Sequence, residues 1–142
     1  MKKVVFENSR KQKLVGNFYP AKSGSIIIMS HGFTKDKTEG GKFLKAGQRL
    51  NNPGYNVLSF DFSGCGESPN DSLTLEKQIN DLGSAIKFVK RKGYKKIALL
   101  GYSLGGLVSL KNYGPEIKTM VLWAPLTDKL KYNWKKIIPN NN

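Results

Sequence analysis

The sequence predicts an α/β domain: a mostly parallel, twisted sheet with helices on both faces. Three observations predict it. Apolar runs, several of them rich in β-branched residues, recur with the length of strands buried on both sides. Stretches with helical spacing of apolar residues lie between them. Glycine- and proline-bearing segments punctuate the alternation. With 142 residues, of which 39% are hydrophobic and 11% aromatic, the chain holds enough apolar material for one soluble domain.

The elements follow in order. "VVFEN" (Val4 to Asn8) and "KLVGNFYP" (Lys13 to Pro20) read as two strands joined by a basic turn, a hairpin at a sheet edge. "SIIIMS" (Ser25 to Ser30) is a continuous apolar run, expected to be a buried strand. After a polar loop, Phe43, Leu44, Ala46 and Leu50 suggest a short helix ended near Pro53-Gly54. "YNVLSF" is the next buried strand and leads into "DFSGCGESPNDS". From Thr74 to Lys92, Leu75, Ile79, Leu82, Ile86 and Val89 step by four, three, four and three, one stripe of an amphipathic helix closed by Gly93. "KIALLG" is another buried strand, "LGGLVSLKNY" a short helix stopped by Gly114-Pro115, and "TMVLW" a further strand. The expected domain spans 1–125, and residues 126–142, with weak periodicity and an asparagine end, are expected to form a loosely ordered basic tail.

The formal net charge of +14 raises nucleic-acid binding as a function. The cations are scattered, however, at Lys2, Lys3, Arg10 to Lys13, Lys35 to Lys45, Lys87 to Lys96 and Lys129 to Lys136, without the aromatic platform of a single-strand binder. They are expected to form a solvated lysine-rich surface with no specific nucleic-acid partner. No window reaches the ~18 apolar residues of a membrane span. The first residues lack the apolar core of a signal peptide. A cytoplasmic location is expected, and the single Cys65 fits a reducing compartment.

Chemistry concentrates in three stretches. Gly101-Tyr102-Ser103-Leu104-Gly105 has the G-x-S-x-G pattern, which is weak alone in a chain with 15 glycines. Its context strengthens it. It directly follows a buried strand and opens a helix, as a nucleophile elbow must, and the two glycines leave room for close neighbouring chain. A glycine-rich βα turn with an incidental serine is the alternative. His31-Gly32-Phe33 ends an earlier strand, where such folds place an oxyanion-hole amide. The donors would then be the backbone N–H groups of Phe33 and Leu104. The third stretch, Asp61 to Ser68, would need a glycine at 69 to read as a dinucleotide fingerprint, and Pro69 stands there. It reads instead as a tight loop, with Cys65 an unreactive thiol. No cofactor and no metal site are expected.

"SHGFTKDKTE", "SFDFSGCGES", "LLGYSLGG" and "LWAP" come in the order and approximate spacing of the α/β-hydrolase superfamily. In detail the chain resembles its small esterase branch, the feruloyl or cinnamoyl esterases and monoacylglycerol-lipase-like members, from about Val4 to Pro125. The resemblance implies Ser103 as catalytic nucleophile, Phe33 and Leu104 as oxyanion donors, and a small-molecule carboxylic ester or related acyl compound as substrate.

The family's triad runs serine, acid, histidine along the chain. No histidine follows Ser103 here, and the acidic candidates are Glu116 and Asp128. Glu116 precedes a strand and is expected at the wrong end of the sheet, whereas Asp128 follows one. By the resemblance, His31 shapes the oxyanion loop and is not the base. The pattern is that of an N-terminal portion of such a fold, ending after its sixth strand. Three functional readings stay open: part of a split serine hydrolase whose acid and histidine come from a separate chain, an inactive remnant, or a non-enzymatic binding module on the same fold.

Overall fold

In the computed structural model, residues 1–126 are described. Strands β1 (Lys2–Glu7) and β2 (Lys13–Tyr19) form the expected antiparallel hairpin. They are followed by β3 (Ser25–Ser30), α1 (Lys42–Asn51), β4 (Asn56–Phe60), α2 (Leu75–Arg91), β5 (Lys96–Tyr102), α3 (Leu104–Lys111) and β6 (Ile117–Trp123). The sheet order is β1-β2-β4-β3-β5-β6. β3 pairs in parallel with β4 and β5, β5 in parallel with β6, while β2 runs antiparallel to β4.

The continuous apolar runs occupy the middle of this sheet because both faces are covered there. On one face α2 and α3 pack over β3, with Leu82, Ala85, Ile86, Val89, Leu107 and Val108 against Ile26, Ile28, Leu58, Phe60 and Leu99. α2 starts at Thr74, whose hydroxyl accepts the Lys77 N–H at 3.2 Å, and stops at Gly93, which turns with φ +94°. Its buried face is broader than the apolar stripe, taking in Gln78, Asp81 and Ser84. On the other face α1, alone among the described helices, packs over β4 and β2, setting Phe43 against Tyr19, Met29 and Val57.

Among the described residues, no helix covers that second face beyond β5. Thr119, Val121 and Trp123 of β6 pair with Ala98, Leu100 and Tyr102 of β5 and share their side of the sheet. Val121 is 53% and Trp123 42% exposed, so β6 is an edge strand with an unshielded apolar face.

Because β3, β4, β5 and β6 are mutually parallel, the loops that follow them gather at one end of the sheet. Residues 31–41, 61–74, 103 and 124–126 therefore meet there, at the strand ends where open α/β sheets build their sites. The expected tail lies almost wholly in residues 127–142, outside the described residues.

Candidate functional site

Ser103 is the one residue between β5 and α3, and its backbone is held at φ +52°, ψ −117°. A side chain other than glycine's is rarely found there, which costs on the order of 1–3 kcal/mol unless its surroundings enforce it. Here they do. The Ser103 N–H donates to the Trp123 carbonyl at 3.0 Å, and its own carbonyl accepts from Gly106 and Leu126, both at 2.9 Å. A β-carbon on Gly101 would lie 2.3 Å from the Gly105 carbonyl oxygen, and one on Gly105 2.0 Å from that of Ser30. The two glycines of the pentapeptide thus let α3 start against the end of β3. Ser103 itself is half-buried, with its neighbour Leu104 opening the helix. The first amides of a helix have no intrahelical acceptor and carry the positive end of its dipole.

The loop after β3 reaches this turn. A β-carbon on Gly32 would sit 3.5 Å from the Ser103 β-carbon. Phe33, the next residue, is half-buried against the larger core. The loop is fixed from several sides by groups that the sequence pattern suggested were solvated. Lys37 is only 8% exposed: its N–H and Nζ donate to the two carboxylate oxygens of Asp61, at 2.6 and 2.7 Å. The expectation of a wholly solvated lysine surface fails at this residue, because a buried carboxylate 24 positions away receives it. Asp61 also accepts from the Glu67 N–H at 2.9 Å. Asp81, fully buried in α2, accepts from Asn8, Arg10 and both the amide and hydroxyl of Ser63, tying the hairpin to the 61–74 loop.

His31 is completely buried and both ring nitrogens are used by the backbone. Nε2 accepts the Phe62 N–H at 3.2 Å, which leaves Nδ1 as the protonated nitrogen, donating to the Gly32 carbonyl at 2.8 Å. The ring also meets the Phe62 ring edge-on, with centroids 4.8 Å apart. It has no nitrogen left for Ser103. Burial, partly opposed by the bond to Gly32 and the charge of Asp61, pushes its pKa below the ordinary 6.5. The unfolded chain therefore binds the extra proton first. Stability from this residue is fully present above pH 6.5 and is lost as pH falls below it, with a slope of at most about 1.4 kcal/mol per unit. Urea unfolding at a series of pH values between 7 and 5 should show this slope, and His31→Gln should flatten it. Asp36, held low by its bonds to Thr38, and Asp71, held low by Lys77, lose their contributions only near or below the ordinary carboxylate range.

Cys65 is buried, and burial together with the charges of Asp61 and Asp81 pushes its thiol up to about 11, an unreactive thiol as expected. Glu116 stands before β6, opposite the end that carries Ser103, and pairs with Lys90 at 3.7 Å. Asp128 lies outside the described residues. Among the described residues no group of three or more His, Cys, Asp or Glu could hold a metal ion.

A serine in a strained strand–turn–helix elbow, beside the loop that ends the neighbouring strand, defines the α/β-hydrolase class. The family model described as serine aminopeptidase, S33 matches residues 21–140, and the chain belongs to that family. It is similar to a carboxylesterase of Bacillus subtilis (strain 168), 31% identical over 104 residues that cover 70% of this chain and 41% of the relative. Among solved structures it is similar to an esterase of Pyrococcus furiosus, with 30% identity and a TM-score of 0.80 over 87% of this chain and 51% of that one. An alpha/beta hydrolase from Penicillium sp. sh18 gives 25% identity and a TM-score of 0.81 over 88% and 46%. The chain thus spans about half the length of the relatives it matches. No helix among the described residues is long and apolar enough to cross a membrane.

Proposed function

We propose that this chain carries the nucleophile half of a serine hydrolase acting on small carboxylic esters or related acyl substrates. The observation that carries the reading is the Ser103 backbone at φ +52°, enforced from three sides, with the loop after β3 passing so close that a β-carbon on Gly32 would lie 3.5 Å from that of Ser103. In this reading Ser103 Oγ attacks the acyl carbon, and the carbonyl oxygen gains the charge. The Phe33 and Leu104 N–H groups receive it, each worth ~10²–10³ in rate. The alcohol leaves with a proton, and water later cleaves the acyl-serine.

The proton needs a base. His31 is the single histidine of the 142 residues and is committed to the backbone at both nitrogens. The histidine is therefore supplied from outside these residues, and β6 is the edge along which the part that carries it would dock. The exposed Val121 and Trp123 support that docking edge. A cytoplasmic setting belongs to the same reading and is supported by the buried free thiol of Cys65.

The test is covalent. A fluorophosphonate is expected to label the chain once, at Ser103, slowly, because an oxyanion site without its base retains only part of the rate enhancement. Added imidazole should accelerate labelling by standing in for the missing base. Ser103→Ala should take no label. Labelling that survives this substitution, or a wild-type chain that stays unlabelled with imidazole present, would overturn the reading.

A further inference from the structure

We propose that Glu39 is a positioning residue for the oxyanion donor at Phe33, an inference that rests on the serine-hydrolase reading above. Glu39 is a carboxylate only 1% exposed, and its Oε2 accepts the Gly32 N–H at 2.6 Å. That oxygen and the Ser103 β-carbon lie within 3.3 and 3.5 Å of the same point, the place a Gly32 β-carbon would take. Glu39 therefore sits beside the elbow, although it is 64 positions from Ser103 in the sequence.

The geometry explains what the bond does. The peptide joining Gly32 and Phe33 is planar and trans, so its C=O and N–H point in opposite directions. The Gly32 carbonyl is already engaged by His31 Nδ1 at 2.8 Å and by the Lys35 N–H at 3.3 Å. With the Gly32 N–H held by Glu39, both sides of Gly32 are fixed. The direction of the Phe33 N–H follows from them. Glycine needs such fixing more than any other residue, since it is the one with the most backbone freedom to lose.

The cost of keeping Glu39 where it is argues the same way. Its own backbone is left-handed, at φ +46°, followed by Gly40 and Gly41 at +62° and +89°. A glycine would suit that backbone better, yet a glutamate is there, with its carboxylate turned inward. A carboxylate near a developing oxyanion also opposes the reaction electrostatically. The side chain is worth keeping for the bond it accepts. Charge would make that bond stronger, but only an acceptor oxygen is required for it.

The expected result is read on three variants of the whole chain. Glu39→Gln keeps an acceptor oxygen and should label with fluorophosphonate within about threefold of wild type. Glu39→Ala and Glu39→Gly remove it and should label about 10–100-fold more slowly, the range expected when a donor is misplaced. The loss should fall on the maximal labelling rate and not on the half-saturating probe concentration. Glu39→Gly also relieves the left-handed backbone, so a loss shared with a normally folded glycine variant is not a folding defect. Hydrogen exchange at the Gly32 amide should be at least about tenfold faster in the alanine and glycine variants than in wild type. Equal labelling of wild type and both truncated variants, or a glutamine variant as slow as alanine, overturns the proposal. A wild-type chain that never labels removes the hydrolase reading instead. In that case unchanged Gly32 exchange in Glu39→Ala would separately refute the clamp.

Discussion

Gly105→Ala is expected to cost about 3 kcal/mol or more of stability, a large share of the 5–15 kcal/mol that holds a typical domain folded. The added β-carbon would lie 2.0 Å from the Ser30 carbonyl oxygen and 2.7 Å from that of His31. Neither is the end of a flexible side chain. To make room, α3 must lift from the end of β3, and overpacking that moves backbone sits at or above the usual 1–3 kcal/mol range. The shift of the urea midpoint measures it. A shift worth less than about 1 kcal/mol would mean that the helix start is not held as tightly as these contacts require. The same displacement re-aims the Leu104 amide, the donor that the oxyanion reading assigns beside Ser103 Oγ. Labelling should therefore fall even under conditions where the variant is fully folded.

Asp61→Ala should be comparably severe, about 3–5 kcal/mol, by a different mechanism. Asp61 is fully buried and receives the Lys37 amide, the Lys37 ammonium and the Glu67 amide. Removing the carboxylate leaves a lysine that is 8% exposed to the more distant, half-exposed carboxylate of Glu67 at 3.6 Å, and a buried cation that loses its main partner is costly. Desolvation lowers the Lys37 pKa, but the bonds and charges of Asp61 and Glu67 together hold it above its ordinary value. Asp61→Asn keeps the shape and an acceptor but loses the charge, so it should fall between wild type and alanine. If the alanine variant melts within about 1 kcal/mol of wild type, the pair is not the anchor of the 31–41 loop.

The fold was largely legible because its signals are local. Runs such as "SIIIMS" and "KIALLG" are strands wherever both faces are covered, and the stepping of Leu82, Ile86 and Val89 marks the buried face of α2. The strand ends are less legible for the same reason. Lys2 and Lys3 pair with Phe18 and Asn17, and Ile117 starts β6, because ladder bonds extend strands past the end of an apolar run. Ser103 was legible because its pattern and its place between strand and helix agree. What holds the site was not. Lys37, Glu39, Asp61 and Asp81 are charged residues, for which exposure is the ordinary expectation, and their burial depends on partners far along the chain. The "HGFTKDKTE" stretch contains two of them, but only the fold shows which of its charges turn inward.

The elbow's left-handed serine also makes this chain its own reporter of folding. A free serine seldom visits φ +52°, and here the conformation exists only once α3 has docked on β3 and the Trp123 carbonyl has taken the Ser103 N–H. β3 and β5 must already be paired, and β6 must have added to their edge, before that carbonyl arrives. Phosphonylation of Ser103 would then count only molecules in which β6 is in place. The final extent of labelling, compared across refolding conditions, would report the fraction of molecules in which β6 has joined β5 and the elbow is set.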